Sequence, residues 1–292
     1  MENATAKVSC FARAYHYRHN DTRIFADTAA EALLGPDYDR IAQSMAQGIG
    51  FFMPDFRGDA EEGLRLIVDR QLSPSVLGRS AFCERALANE RRLGCRQYVL
   101  FASGYDTFAI RNTDTSLAVF ELDLPEMLAD KRARMARAGL ASRAVDVPCD
   151  LSDASWKDKL IDSGYQPQVK SFGSLLGISY YLDRADFRAL LSAWGDIACE
   201  GSAICFDYPA TDDGHEARTN RALAQGAGES MKAQYARPEL EALLAECGFL
   251  VYEHLDADEM TGQYFVEYNR ANPDHPMAAP KGVGYVLAVR KP

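Results

Sequence analysis

Short apolar runs alternate with longer amphipathic segments from about residue 97 to the end of the chain. This alternation predicts a mostly parallel sheet with helices on both faces. We expect seven strands, the last two of them paired antiparallel at the sheet edge, at 97–102, 117–123, 144–149, 169–177, 202–207, 250–255 and 283–289. The predicted fold class is therefore α/β, with a Rossmann-like, doubly wound sheet.

The segment before the first strand has a helical pattern instead. Amphipathic stretches near 24–34 and 61–72 predict an N-terminal helical cap over residues 1–90, followed by a sheet core over 91–292. A polar stretch with several glycines, at about 209–237, predicts a lid inserted in the core, and an ordinary surface excursion is the alternative.

Composition narrows the class of protein. The chain has 292 residues and 47% hydrophobic content, enough for a full core, and its formal charge of −10 argues against a nucleic-acid partner. Seven cysteines occur without C-x-x-C spacing, so neither a disulfide framework nor a metal site is expected. The first residues lack a basic region followed by an apolar core, and no apolar run approaches the roughly 18 residues of a membrane span. We expect a cytoplasmic protein that acts on a small molecule, without a membrane partner.

The most informative chemistry lies where the first two predicted strands end. Strand one enters Ala102-Ser103-Gly104, whose small side chains let a ligand approach the backbone, and Asp123 follows 19 positions after Gly104. A carboxylate placed in this way accepts both hydroxyls of a ribose. Ala102 and Thr107 occupy positions where a G-x-G-x-x-G loop has glycine, so a pyrophosphate is not the expected ligand. S-adenosylmethionine is the leading candidate.

Glu121 is a second acidic candidate for the cofactor site. It lies two positions before Asp123, so the two side chains share one face of the strand. Because Asp123 is nearer the carboxyl end, it is the better ribose ligand.

Candidates for acceptor binding and catalysis lie in two other segments. Arg13 and His16 are placed to hold an anionic substrate or to supply a base. His16 and His19 form an H-x-x-H pair without a further ligand motif, so surface or capping roles are favoured over metal binding. Tyr180 and Tyr181 follow strand four, whose carboxyl end faces the ligand crevice of such sheets, and we expect one to pack and one to line the pocket.

A series of short motifs runs through nearly the whole chain. The motifs are 77–84, 104–107 with Arg111, 120–125 with Lys131, 150–151 with Trp156, and 177–182. In this order and at this spacing they resemble the leucine carboxyl methyltransferase family. These are class I S-adenosylmethionine-dependent enzymes that include bacterial small-molecule and polyketide methyltransferases.

The resemblance implies a role for each matched position. It assigns Arg79 to the carboxylate of the cofactor's methionine part and 102–104 to the rest of that part. It gives the ribose to Asp123 and the adenine to Asp150 and Leu151. The sequence departs from the family pattern at two positions, with Ala102 in place of a glycine and Leu176 in place of a glutamate. A contact to the methionine amine must therefore come from a residue other than Leu176.

The expected activity is methylation of an oxygen of a small molecule, with a carboxylate as the first choice. A carboxylate is ionised at neutral pH, whereas a phenol with a pKa of about 10 needs a base, and the sequence marks no obvious base. Methylation of a phenol, thiol or amine is the alternative. A non-catalytic cofactor-binding protein is a third reading, suggested by the two departures, and an NAD-dependent oxidoreductase is disfavoured because the phosphate-binding glycines are missing.

Overall fold

The computed structural model describes residues 4–53, 55–211 and 232–292. At the centre of this part of the chain lies one seven-stranded sheet in the order β3-β2-β1-β4-β5-β7-β6. The strands are β1 (Gln97–Phe101), β2 (Ala118–Asp123), β3 (Val145–Pro148), β4 (Ser171–Leu175), β5 (Ala203–Pro209), β6 (Phe249–Leu255) and β7 (Val283–Arg290). The predicted doubly wound α/β fold is confirmed.

Strands β1 to β5 pair in parallel, and the last two strands are antiparallel as predicted. The pair also lies at the sheet edge as predicted, with β7 placed between β5 and the edge strand β6. Since β2 and β4 flank β1, the strand order reverses at β1. In open α/β sheets ligands bind in the crevice at such a reversal, beside the carboxyl ends of the strands.

The chain before β1 is helical. Its elements are α1 (Ala4–His19), α2 (Ala30–Leu34), α3 (Asp37–Gln47), α4 (Ile49–Phe52), α5 (Ala60–Ile67), a first π-helix (Val68–Leu72) and α6 (Ser73–Arg92). Asp59 caps α5 by accepting a hydrogen bond from the backbone N–H of Glu62 over 2.8 Å. Pro74 stands in the first turn of α6, where a missing N–H costs nothing.

Two of these helices fix the cap to the sheet. Apolar side chains of α6, such as Leu77 and Phe82, belong to one buried cluster with Tyr98 and Leu100 of β1. Helix α1 is buried over Cys10–His16, and its Phe11 and Tyr15 belong to a second cluster with residues of α2 and of the helix after β2. Helix α6 crosses residue 90 and packs on the sheet. The division of the chain at that residue stays a prediction.

Helices and turns connect the strands of the core. They are α7 (Phe108–Arg111), α8 (Pro125–Ala138), α9 (Trp156–Asp162), a 3₁₀ turn (Ser179–Tyr181), α10 (Arg184–Ile197), α11 (Arg237–Glu246), α12 (Ala257–Met260), a second π-helix (Thr261–Phe265) and α13 (Val266–Ala271). Helix α8 starts at Pro125 and ends at Gly139, whose φ of 65° suits a helix C-terminus. No helix in the described ranges is long and apolar enough to cross a bilayer.

The predicted lid at about 209–237 falls largely outside the described residues, which stop at 211 and resume at 232. The two ends of this segment are adjacent, since Ala210 and Tyr235 form an isolated parallel bridge. The backbone N–H of Lys232 donates to the carbonyl oxygen of Tyr180 over 3.0 Å. The chain therefore re-enters the described structure beside the end of β4.

Candidate cofactor and acceptor site

The carboxyl ends of β1 to β5 meet at one edge of the sheet because these strands are parallel. Most of the residues expected to hold the cofactor lie on this edge, in the order of the strands rather than of the sequence. From β3 to β4 they are Asp150 and Leu151, Asp123, Ala102 to Gly104, and Gly177 with Arg79 against it.

The turn after β1 has an unusual backbone. Ala102 has a φ of 51° and is the one non-glycine residue in the described ranges with a positive φ. The left-handed region costs an L-residue roughly 1–2 kcal/mol, and such strain is concentrated at functional sites. Gly104 follows with a φ of 48°. The two positive φ values produce the tight turn that aims the Gly104 N–H at the end of β2.

Asp123 is held by this turn. Its Oδ2 accepts the N–H of Gly104 over 2.7 Å, and its Oδ1 accepts the N–H of Leu124 over 2.8 Å. Burial raises the pKa of Asp123, and the two amide hydrogen bonds oppose this shift. A carboxylate offers about four acceptor positions, so two remain for the two hydroxyls of a ribose. The residue types and geometry fit the predicted ligand.

The neighbouring loops supply further polar groups and an apolar surface. Ser103 is buried, and its hydroxyl has no hydrogen-bond partner in the described structure, as expected for a group that awaits a ligand. Asp150 is exposed, and two hydrogen bonds from Ser152 lower its pKa. Leu151 is half-buried against the main apolar cluster. This combination of a carboxylate beside an apolar side chain suits an adenine.

Arg79 reaches the end of β4 from α6. Its guanidinium lies so close to Gly177 that a Cβ at this position would stand 2.6 Å from the Arg79 nitrogen, and the φ of 71° at Gly177 also favours glycine. The Arg79 Nη1 is 3.4 Å from Oδ2 of Asp207 on β5. Asp207 also accepts the N–H of Gly177 over 2.7 Å and the hydroxyl of Tyr180 over 3.0 Å. One buried carboxylate thus joins α6, the loop after β4 and β5.

Glu121 lies below Asp123 on the same strand but inside the protein. Its Oε2 accepts a hydrogen bond from Nζ of Lys131 over 2.7 Å, and both side chains are almost fully buried. Burial raises the pKa of Glu121, and Lys131 opposes this shift. The ion pair engages Oε2 of Glu121, while its Oε1 has no hydrogen-bond partner in the described structure, so the contact of Glu121 to the cofactor stays a prediction.

Arg13 lies beside the turn after β1, but its donors are already engaged. Its Nε donates to Oδ2 of Asp27 over 2.8 Å, and its Nη2 donates to the carbonyl oxygen of Tyr105 over 2.7 Å. Asp27 is buried between Arg13 and Arg111, the latter at 3.5 Å. Arg13 therefore connects α1 to the loop that carries Gly104, which gives this side chain a structural role.

His16 is fully buried, which favours the capping role over the catalytic one. Its Nε2 accepts the backbone N–H of Ile24 over 3.0 Å. Burial, assisted by the charges of Arg23 and Arg65, lowers the pKa of His16 to about 3, so the imidazole is neutral at physiological pH. His19 stacks on Tyr15 with 4.1 Å between ring centroids. Among the described residues no group of three or more metal-ligating side chains is present.

The two tyrosines after β4 differ in exposure. Tyr180 is buried and donates its hydroxyl to Asp207, and burial together with the Asp207 charge raises its pKa well above the usual range. Tyr181 is half-buried. Tyr180 is therefore the packed member of the pair, and a place for Tyr181 in the pocket stays a prediction.

Sequence reasoning missed Asp207 and Asp69. Asp207 was the last residue of predicted strand five, and a charge at the end of an otherwise apolar strand was the available signal. Asp69 lies in the first π-helix and is 2% exposed, and its Oδ1 has no hydrogen-bond partner in the described structure. The pattern of apolar and polar residues around Asp69 does not distinguish a π-helix from an α-helix.

Comparisons with known proteins agree with this geometry. The leucine carboxyl methyltransferase family profile matches residues 6–195. A Bacillus subtilis protein named "Putative S-adenosyl-L-methionine-dependent methyltransferase YktD" is 34% identical and is aligned over 98% of this chain and 97% of its own length.

Two solved structures share the fold at low sequence identity. A DUF574 family protein from Streptomyces avermitilis has a TM-score of 0.59 at 14% identity and covers 99% of this chain and 97% of its own. Magnesium protoporphyrin IX methyltransferase from Synechocystis, with bound S-adenosylhomocysteine, has a TM-score of 0.50 at 9% identity and covers 87% of this chain and 97% of its own.

The strand order, the turn after β1 and these relatives together define a class I S-adenosylmethionine-dependent methyltransferase. Within this class, the chain belongs to the leucine carboxyl methyltransferase family.

Proposed function

We propose that this methyltransferase methylates an oxygen atom of a small molecule, and that this oxygen belongs to a carboxylate. When bound, S-adenosylmethionine supplies a sulfonium methyl group for in-line displacement, so the protein has mainly to align the reactants and exclude water. Asp123 would hold the ribose, Asp150 and Leu151 the adenine, and Arg79 the methionine carboxylate. Ser103 has a buried hydroxyl without a partner in the described structure, which supports its place in the cofactor site.

One observation carries the choice of acceptor: the two buried catalytic candidates, His16 and Tyr180, are both engaged within the protein, and neither is poised to accept a proton at neutral pH. His16 is buried with a pKa of about 3 and already accepts a backbone N–H. Tyr180 stays protonated because its pKa is raised, and it donates to Asp207. A carboxylate acceptor needs no base because it is ionised at neutral pH. These two groups therefore favour a carboxylate over a phenol.

Elements around the edge of the sheet support a position for the acceptor. Helix α1 packs on the turn after β1 through Arg13, and Ala6 lies close to Gly104. The half-buried Tyr181 stands at the end of β4, near the point where the chain returns at Lys232. We propose that the acceptor lies between these elements. We also propose a cytoplasmic location, which the seven unpaired cysteines support.

A second candidate, methylation of a phenol, thiol or amine, is favoured by Asp69. This carboxylate lies 3.3 Å from Nε of Arg65, and its other oxygen has no partner among the described residues. Burial raises the pKa of Asp69 to about 6, which suits a general base near neutral pH. Burial is the main cause of the raised pKa values of Tyr15 and Tyr268, and the charge of Asp69 adds to both.

The two candidates differ in the stability of the product. The enzyme is incubated with S-adenosylmethionine labelled in the methyl group and a metabolite extract, and the products are then treated with mild base. A methyl ester releases labelled methanol, whereas ethers, thioethers and methylamines keep the label. Labelled methanol from the wild type and from Asp69→Asn alike supports a carboxylate acceptor.

Two other results would contradict the carboxylate proposal. Base-stable label that disappears in Asp69→Asn contradicts the carboxylate proposal and supports Asp69 as the base for a second class of acceptor. Absence of label under conditions where the cofactor binds contradicts both and favours a non-catalytic protein.

A further inference from the structure

We infer that Asp207 receives the α-ammonium group of the cofactor's methionine part, beside Arg79, which receives the α-carboxylate. The inference rests on the cofactor arrangement proposed above and adds a residue that the motifs do not include. It defines a pair of opposite charges on α6 and β5 that recognises an α-amino acid zwitterion.

Asp207 lies on the same edge of the sheet as the candidate cofactor residues. Its carboxylate is 1% exposed and lies near the carboxyl end of β5, on the sheet edge that carries the other candidate cofactor residues. The strand directly beside it is β4, whose end bears Gly177. In this fold the ligand crevice opens at the reversal of strand order next to β4. Asp207 therefore lies buried on the carboxyl edge of the sheet, with β4 between its strand and the reversal at β1, and it is not part of the turn after β1.

Three donors surround the carboxylate of Asp207. Oδ1 accepts from Gly177 over 2.7 Å, and Oδ2 accepts from Tyr180 over 3.0 Å. The cationic partner Arg79 is the most distant of the three, with Nη1 at 3.4 Å. A carboxylate has about four acceptor positions, and a buried one is stable only with charge compensation. An ammonium group would add a hydrogen-bond donor and a second positive charge.

The charges of Arg79 and Asp207 complement those of an α-amino acid. The Arg79 guanidinium and the Asp207 carboxylate lie side by side against Gly177, and a Cβ at Gly177 would clash with the guanidinium. An α-amino acid carries one carboxylate and one ammonium on the same carbon, so its two charges match this pair. A guanidinium binds a carboxylate through parallel hydrogen bonds, which leaves the ammonium to the acidic partner.

The other residues considered as acceptors for the ammonium group are apolar or already hydrogen-bonded to other partners. Leu176, at the end of β4, packs in the apolar cluster of α6 and offers no acceptor. Glu121 is paired with Lys131 inside the protein. Asp123 is held by Gly104, on the ribose side of the turn. Of these carboxylates, Asp207 is the one in contact with Arg79.

The test compares two ligands that differ in the amino-acid part. S-adenosylhomocysteine carries the α-ammonium and α-carboxylate groups, whereas 5′-methylthioadenosine keeps the nucleoside and lacks both. Calorimetric titration of each ligand is performed on the wild type, on Asp207→Asn and on Asp196→Asn. Asp196 is an exposed residue of α10 paired with Lys157, so its variant controls for the loss of one negative charge.

We expect Asp207→Asn to weaken the binding of S-adenosylhomocysteine by at least about tenfold, because a charge-assisted hydrogen bond is lost. The affinity for 5′-methylthioadenosine should stay within about twofold of the wild-type value. Asp196→Asn should change neither affinity. An equal loss for both ligands would show that Asp207 acts only by holding Gly177 and Tyr180, and unchanged affinities would show no role; either result overturns the inference.

A second variant, Asp207→Glu, keeps the test possible if Asp207→Asn does not fold. Asp207→Glu keeps the charge but displaces the oxygens, and the same selective loss for S-adenosylhomocysteine is expected. If the wild type itself bound neither ligand, the cofactor arrangement would be wrong as a whole. That result is distinct from wild-type binding with no selective effect at Asp207, which would overturn the present inference alone.

Discussion

The backbone N–H of Gly104 donates a hydrogen bond to Oδ2 of Asp123 over 2.7 Å. This bond joins the turn after β1 to the end of β2, so the candidate ribose acceptor is oriented by the same loop that borders the rest of the cofactor. An orienting bond of this kind reduces the conformational freedom that binding would otherwise have to remove. The site is thus built from the backbone as much as from side chains.

The strained residue in that turn gives a first prediction. Ala102→Gly should leave the free energy of unfolding unchanged or raise it by up to about 1 kcal/mol, because relief of the left-handed strain offsets the greater chain entropy of glycine. Ala129→Gly, in the exposed interior of α8, is the matched control and should lower it by about 1 kcal/mol. Urea denaturation measures both. Equal destabilisation by the two variants would mean that the φ of Ala102 carries no strain.

The buried pair of Glu121 and Lys131 gives a second prediction. Lys131→Met should lower the free energy of unfolding by about 3–5 kcal/mol, because it leaves a buried carboxylate without its partner. The double variant Glu121→Gln with Lys131→Met should recover most of this loss.

The same double variant tests the site. It should bind S-adenosylhomocysteine like the wild type if Glu121 is structural, as its ion pair indicates. A folded double variant with greatly reduced affinity would restore Glu121 to the cofactor-binding residues.

Asp69 gives a prediction on pH dependence. Its pKa is about 6 in the folded protein against an ordinary 3.8, so between these values the folded state binds more protons than the unfolded state. The stabilisation from this group is complete below pH 3.8 and is lost as the pH rises through 6. Asp69→Asn, neutral at every pH, lacks this loss.

The comparison to make is between the two proteins across pH. From pH 4 to pH 7 the stability of Asp69→Asn relative to the wild type should rise by up to about 3 kcal/mol. Thermal or urea unfolding at several pH values measures this difference. Parallel profiles would mean that Asp69 is not desolvated in the native state.

The sequence predicted the sheet well because each strand is indicated by a short run of neighbouring apolar residues, without reference to distant parts of the chain. All seven strands appear within a few residues of their predicted bounds, and the turn signals at Gly104 and Pro125 lie where the first two strands end. The candidate ribose acceptor Asp123 could be identified because strand, turn and acid follow one another within a single βαβ unit.

The rest of the site could not be predicted because it depends on contacts between distant segments. Asp207 and Arg79 are 128 positions apart and meet only after β4 and β5 have paired. The burial of His16 depends on the packing of α1 into the fold, and its own segment gives no sign of this. Glu121 is a mixed case. Its place on the same strand face as Asp123 was predicted, but its ion pair with Lys131, on α8, was not.

The central claim is that the carboxyl edge of the sheet binds S-adenosylmethionine with Asp123 on the ribose, and calorimetric titration of S-adenosylhomocysteine into Asp123→Ala tests it most directly. Loss of two charge-assisted hydrogen bonds, at about 1.5–3 kcal/mol each, should weaken binding by at least about 100-fold relative to the wild type. Asp196→Ala serves as the control and should bind normally. An Asp123→Ala protein that unfolds cooperatively and binds S-adenosylhomocysteine with wild-type affinity would contradict the account.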